Sequence, residues 1–350
     1  MEPDAWALLR ERYLVNDYYA CQVRWNGLDV KAAVRSRGNG SRSPVKPGLK
    51  LSFTKSKDAG PFLGLESLVL GNTAQDPTMV KNALSYQLFA KAGVPVPRLS
   101  YARVTVNGQY WGLYQVIEEI ESPYLTARFG EKDGYLYEFS WVDYYYFEQR
   151  GEGRDEDYVP APFEPKNNSK NPNAAPLLGL IETVNRAPSE AFVEQLSAYL
   201  DPRQVLTYLA VETLTGEQDG LLGDWGVNGL FLYNLARTTK FVILPWDKDW
   251  SFLDWKHPVL EGAERNVLVR RLLQEAGCRD FFRSELQRCA QLAGGPGGWQ
   301  EQEARRLNAL IYKAALEDPH RIESSGTFDA QHAKLIEYLQ RRPQAVLSQL

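Results

Sequence analysis

The chain has 350 residues, 44% of them apolar and 24% charged, the balance of a globular protein with room for one large domain or two lobes. A formal net charge of −4 argues against bulk binding to nucleic acid or to an anionic membrane. Three scattered cysteines and three scattered histidines argue against a disulfide framework or a zinc site. With no apolar run long enough to span a membrane and no apolar leader in residues 1–20, the expectation is a soluble cytoplasmic protein.

In chain order, residues 4–13 predict a short helix. Residues 20–25 and 29–35 predict two strands, because Asn26-Gly27 between them is a strong hairpin turn. The second strand runs into Arg37-Gly38-Asn39-Gly40-Ser41-Arg42. Small residues there would let backbone N–H groups approach a phosphate, with Arg37 or Arg42 to neutralise its charge. In the strand 48–53, Leu49, Leu51 and Phe53 share one face and Lys50 and Ser52 the other, which would bring Lys50 under that loop. Another short strand is expected at 65–70.

Residues 76–92 predict a helix, with Asp76 as N-cap, Pro77 at its first position, and Val80, Leu84, Leu88 and Phe89 as its apolar stripe. A second hairpin, 101–106 with 110–117, turns at Asn107-Gly108 and ends in Glu118-Glu119. Residues 135–173 are polar and aromatic with little periodicity, a candidate for shaping a substrate groove, and Asn167–Asn173 within them reads as an exposed loop. Helices are expected at 177–185, 189–200 and 202–215, and later at 266–276, 280–293, 299–317 and 328–341. The expected organisation is α+β, with a strand-rich lobe over residues 1–122 and a mostly helical lobe over 123–350.

The segment 217–252 carries the candidate chemistry. It runs from Glu217-Gln218-Asp219-Gly220 to Asn228, through strands 230–233 and 240–244, and into Pro245-Trp246-Asp247-Lys248-Asp249. Antiparallel pairing of these strands brings Asn228 and Asp247 side by side. Carboxylate and amide oxygens converging there suit a hard cation such as Mg²⁺, above all one also held by phosphates.

A strand-rich lobe followed by a helical lobe is the layout of a protein kinase. The glycine loop, strand lysine, catalytic Asp, metal Asn and metal Asp also come in that order. The His-Arg-Asp, Asp-Phe-Gly and Gly-x-Gly-x-x-Gly signatures are absent. Four pieces resemble the CotH (spore coat protein H) kinase family: Arg37–Arg42 with Lys50-Leu51-Ser52-Phe53; Val106-Asn107-Gly108-Gln109-Tyr110-Trp111-Gly112-Leu113-Tyr114 with Glu118; Asp219-Gly220 with Asn228; and Pro245-Trp246-Asp247-Lys248-Asp249.

The resemblance implies an atypical protein-kinase-like bilobal fold and ATP-dependent, Mg²⁺-assisted phosphorylation of Ser or Thr in a protein substrate. Carried over by position, Asp219 is the catalytic base. Asn228 and Asp247 hold Mg²⁺, with Asp249 as a further ligand. Arg37, Gly38, Ser41, Arg42 and Lys50 contact the nucleotide phosphates, and Glu118 lies near them. Asp219 and Asn228 stand further apart than a kinase base and metal Asn, so Asp224 is a rival base. The helix at 76–92 offers Lys50 no acidic partner, which leaves Glu118 for that role, or Lys46 as a substitute lysine. The resemblance also allows a non-catalytic coat or adhesion protein with the same fold.

Overall fold

The computed structural model describes residues 1–55, 60–321 and 325–350. The fold is α+β, with ten strands and ten α-helices among the described residues. The chain forms two compact units. One is Met1–Ala83, Pro97–Gly130 and Arg305–Ala333; the other is Leu84–Val96, Glu131–Ala304 and Lys334–Leu350.

The first unit contains α1 (Pro3–Glu11), β1 (Tyr19–Trp25), β2 (Leu28–Arg37), β3 (Gly48–Ser52), β4 (Ser67–Gly71), the first residues of α2 (Lys81–Ala92), β5 (Leu99–Val106), β6 (Gln109–Glu118) and α3 (Ser122–Phe129). Its six strands make one antiparallel sheet in the order β1-β2-β3-β4-β6-β5. Both Asn-Gly turns form as expected, with positive φ at Asn26, Gly27, Asn107 and Gly108, the backbone that tight hairpins require. Trp6 and Leu9 of α1 bury themselves with Ala32, Val34, Leu49, Leu51, Phe53 and Leu70.

The helix expected from Asp76 starts at Lys81 instead. Met79 adopts φ 61°, outside helical geometry. The Asp76 carboxylate accepts from Thr78 N–H (2.9 Å), the Thr78 hydroxyl (2.6 Å) and Lys81 N–H (2.8 Å). Asp76 therefore holds the turn that delivers the helix rather than capping it one residue ahead.

A buried carboxylate joins distant parts of this unit. Asp318 accepts from Lys46 Nζ (2.7 Å), Leu113 N–H (2.9 Å) and His320 N–H (2.8 Å). It lies so close to Gly112, which has φ 136°, that a Cβ there would stand 2.5 Å from Asp318 Oδ1. Gly112 is thus required twice, by its φ and by the close approach.

The second unit contains the remainder of α2, then β7 (Tyr135–Phe139), β8 (Phe163–Pro165), α4 (Ala175–Arg186), α5 (Phe192–Leu196), α6 (Pro202–Thr215), β9 (Leu230–Asn234), β10 (Phe241–Pro245), α7 (Val267–Gln274), α8 (Ala276–Ala293), and parts of α9 (Trp299–Leu316) and α10 (Ser325–Leu347). Its antiparallel sheet is ordered β10-β9-β7-β8. Strands β7 and β8 form within 135–173, where the sequence shows little periodicity, while 167–173 is free of helix and strand and mostly exposed, as expected. β7 lies inside the sheet and reads Tyr-Leu-Tyr-Glu-Phe, without the clean alternation of a half-exposed strand. Helix α6 is buried along nearly its whole length, capped by Asp201 and ended by Gly216 at φ 59°.

The Lys46–Asp318 pair is almost wholly shielded from solvent. Asp318→Ala should leave an uncompensated buried ammonium and cost about 3–5 kcal/mol. Urea unfolding measures that loss, whereas the exposed pair Arg103–Glu317 should give about 1 kcal/mol or less on Glu317→Ala.

Candidate functional site

The site in the second unit is built on the β9–β10 hairpin. Leu230 lies opposite Pro245, and Trp246 N–H donates to Gly229 O (3.0 Å), which carries the hairpin pairing to the residues next to Asn228 and Asp247. Gly229 sits at φ 61°. A Cβ there would lie 2.8 Å from Asp219 O, 2.9 Å from Lys248 Nζ and 3.0 Å from Trp246 O, so only glycine lets the strand start this close to the Asp219 loop.

Asn228 Nδ2 donates to Asp219 Oδ2 (3.0 Å), and Asn228 N–H donates to Gly220 O (3.2 Å). Asp219 is held above its ordinary pKa, chiefly by burial. Asp247 and Glu212 push it further up, against the Asn228 hydrogen bond and the Lys248 charge. Asp219 thus touches Asn228 and feels the charge of Asp247. Asp247 is exposed, at φ 49°, and its N–H donates to Tyr86 Oη (3.2 Å); Asp249 is buried.

The eight residues between Asp219 and Asn228 leave room for a bulge, and the stretch after β7 grips it. Tyr144 N–H donates to Trp225 O (2.8 Å), Val227 N–H to Tyr145 O (2.9 Å), and the Tyr146 hydroxyl to Gly223 O (3.0 Å). Asp224, the rival base, is turned to Arg265 at 3.5 Å.

Beneath the loop lie charged residues that the sequence reading did not single out. Lys248, fully buried, donates to Glu212 Oε1 (2.7 Å). Glu212 Oε2 accepts from Leu221 N–H (2.7 Å). Glu217 accepts from Asp219 N–H (2.9 Å) and from the Ser251 hydroxyl (2.6 Å). Burial works against the Lys248 charge, yet Glu212, Glu217 and Asp219 together raise its pKa. A glutamate in the mostly apolar stretch Leu209–Leu214 of α6 was the available signal. Arg342 and Tyr338 fix the end of that helix, donating to Thr213 O (2.6 Å) and Leu214 O (2.9 Å).

In the first unit, Arg42 braces its own loop. Its guanidinium donates to Gly38 O (2.7 Å), Tyr13 O (2.9 Å) and Asn16 Oδ1 (2.6 Å). Gly38 takes φ 120°, and a Cβ there would meet Ser41 Oγ at 2.6 Å. Arg37 ends β2 opposite Gly48. Lys50 pairs with Glu119 at 3.1 Å, not with Glu118. Adjacent residues of an extended chain face opposite sides, and Glu118 is taken by Arg98 (2.8 Å) and Arg128 (3.5 Å). Lys46, the substitute lysine, is committed to Asp318.

Among the described residues no group of three or more His, Cys, Asp and Glu forms a ready cation cage. Mg²⁺ sites commonly use one or two carboxylates and leave other positions to phosphate and water, and Asn228 with Asp247 offers an amide and a carboxylate oxygen of that kind. No helix among the described residues is long and apolar enough to cross a membrane.

The family described as CotH kinase protein matches residues 34–346. The chain belongs to that family. Its CotH relatives include the inner spore coat protein H of Bacillus subtilis (strain 168), 23% identical over 329 residues, covering 92% of this chain and 88% of that protein. An inner spore coat protein H-like protein of the same organism is 36% identical over 69 residues, 20% of this chain and 21% of that one. A structure of the Shewanella oneidensis MR-1 toxin–antitoxin system HipA, HipB and its operator DNA covers 96% of this chain and 66% of its own, at 13% identity and a TM-score of 0.39, a likeness too slight to carry an argument.

Burial, partly offset by Lys248, pushes the Glu217 carboxyl from 4.5 up to about 7. A raised carboxyl favours the protonated folded state, so its contribution to stability is fully present below about pH 4.5 and lost as pH rises through about 7. Glu217→Gln should flatten that loss, gaining on the order of 2 kcal/mol over the wild type at pH 7.5 and little at pH 4.5, as read by urea unfolding at both values.

Proposed function

We propose that this CotH-family chain is an ATP-dependent protein kinase that phosphorylates Ser or Thr of a protein substrate. The observation that carries this reading is the Asn228–Asp219 hydrogen bond at 3.0 Å with Asp247 in electrostatic reach of the same carboxylate. Asp219 is the base that orients the substrate hydroxyl and takes its proton. Its pKa, raised chiefly by burial, makes it a better proton acceptor than an exposed aspartate, which suits that task. Asp224, paired with Arg265, is the poorer candidate.

Asn228 and Asp247, with Asp249, would hold Mg²⁺, since an amide that donates through Nδ2 keeps Oδ1 for a cation. Bound there, the ion supplies charge neutralisation for the nucleotide phosphates. In the strand-rich part, Lys50, held by Glu119, is the phosphate-contacting lysine. Arg37, Gly38 and Ser41 form the phosphate loop with Arg42 as its brace. The Lys50–Glu119 pair supplies the lysine–glutamate partnership that kinases require, although the glutamate follows a strand instead of lying on a helix.

The names of its B. subtilis relatives favour a place in the spore coat and a second reading, a coat protein without catalysis. Labelled phosphate transfer from ATP to a generic protein or to the chain itself separates the two. Asp219→Ala and Asp247→Ala should each lower transfer by about 10³-fold or more. Transfer that survives both substitutions contradicts the kinase reading. The coat-only reading predicts no transfer by the wild type and no rise in melting temperature with Mg-ATP.

A further inference from the structure

Two backbone amides flank Gly220, and each is held by a different buried carboxylate. Asp219 N–H donates to Glu217 at 2.9 Å and Leu221 N–H to Glu212 at 2.7 Å. The Gly220 carbonyl between them accepts from Asn228 N–H (3.2 Å) and Gly223 N–H (3.1 Å). The Glu212 carboxylate lies so near Gly220 that a Cβ there would stand 2.5 Å from Oε1. Two carboxylates buried together repel and lose their hydration, and a single ammonium, Lys248, compensates them, 2.7 Å from Glu212 Oε1.

Charge of this kind is a poor way to hold a hairpin end together, because an apolar set of the same volume is commonly as stable or more so. What apolar side chains cannot do is accept hydrogen bonds from Asp219 and Leu221. We propose that Glu212, Glu217 and Lys248 are positioning residues, a buried clamp that fixes the backbone on both sides of Gly220 and so aims the Asp219 side chain at Asn228. The aim of Asp219 as a base rests on the kinase reading; the clamp on the amides does not. Ser251 completes it by donating to Glu217, and Ser85 donates in turn to Ser251 (3.2 Å). Lys248 faces Glu212, Glu217 and Asp219 and the Tyr208 ring, 5.8 Å away.

Amide hydrogen exchange over residues 217–222 tests the clamp without needing activity. In the wild type the Asp219 and Leu221 amides should be protected far beyond those of the exposed turn at 253–256. Lys248→Met leaves the two carboxylates uncompensated and should speed exchange there by about tenfold or more. In the transfer assay it should lower kcat by a similar factor with the KM for ATP little changed. Lys248→Met with Glu212→Gln halves the uncompensated charge, leaving Glu217 alone, and should recover part of both losses.

The clamp is overturned if the wild-type loop amides exchange as exposed ones do. It is also overturned if Lys248→Met alters exchange and kinetics only in step with global unfolding, or if the double variant is worse than the single. Should Lys248→Met not fold, Glu212→Gln alone must speed exchange at Leu221, and failure to do so overturns the clamp. If the wild type transfers no phosphate, the kinase reading falls while the exchange result still decides the clamp.

Discussion

An ammonium with no exposed surface, Lys248, beside two buried carboxylates is the constraint around which the second unit's site is arranged. Withdrawing an ion from water costs several kcal/mol even after relaxation, and only close pairing with full hydrogen bonding offsets it. Both requirements are met. Lys248 meets Glu212 at 2.7 Å, and the two glutamates accept from Leu221 N–H, Asp219 N–H and the Ser251 hydroxyl. Glu212 comes from α6, Lys248 from the segment that follows β10, and Glu217 from the loop itself. The charge set therefore ties helix, hairpin and loop at one place, and the glycines at 220 and 229 are the positions where any side chain would break that approach.

The first unit solves a similar problem with different parts. Lys46 and Lys50 are four residues apart in sequence, but their surroundings divide their roles. Lys46 is sealed against Asp318 and stands 5.1 Å from the Tyr114 ring, so its charge is spent on tying residues near 318 to β6. Lys50 retains 19% side-chain exposure beside Glu119. A lysine that keeps some access to solvent beside a carboxylate can meet an incoming phosphate, and a sealed one cannot. That contrast supports Lys50 as the phosphate lysine of a CotH-type kinase.

The hairpins were legible because local chemistry decided them. Asn-Gly pairs demand positive φ, and period-two alternation marks a half-exposed strand. The β9–β10 hairpin follows from the same local chemistry. Where tertiary contacts decide, the sequence was silent or misleading. β7 is interior, so its Tyr-Leu-Tyr-Glu-Phe run lost the alternation that identifies a strand. The start of α2 turned on one positive φ at Met79 that no residue type announces. The choice between Glu118 and Glu119 depended on which face of a strand end each occupies, a one-residue matter that reverses the side. The Glu212–Lys248 pair joins residues 36 apart, and nothing local to either one marks the other as its partner.

Asn228, Asp247 and Asp249 are the proposed oxygen donors for a divalent ion held with nucleotide, with Asp219 as the base. Electron paramagnetic resonance of Mn²⁺ titrated into the protein with ATP, for the wild type and Asp247→Asn, tests this most directly. The account predicts that the free Mn²⁺ signal is quenched by the wild type in the presence of ATP, and that the variant binds at least about tenfold more weakly while remaining folded. Equal Mn²⁺ binding by the two proteins, or none by either, would contradict it.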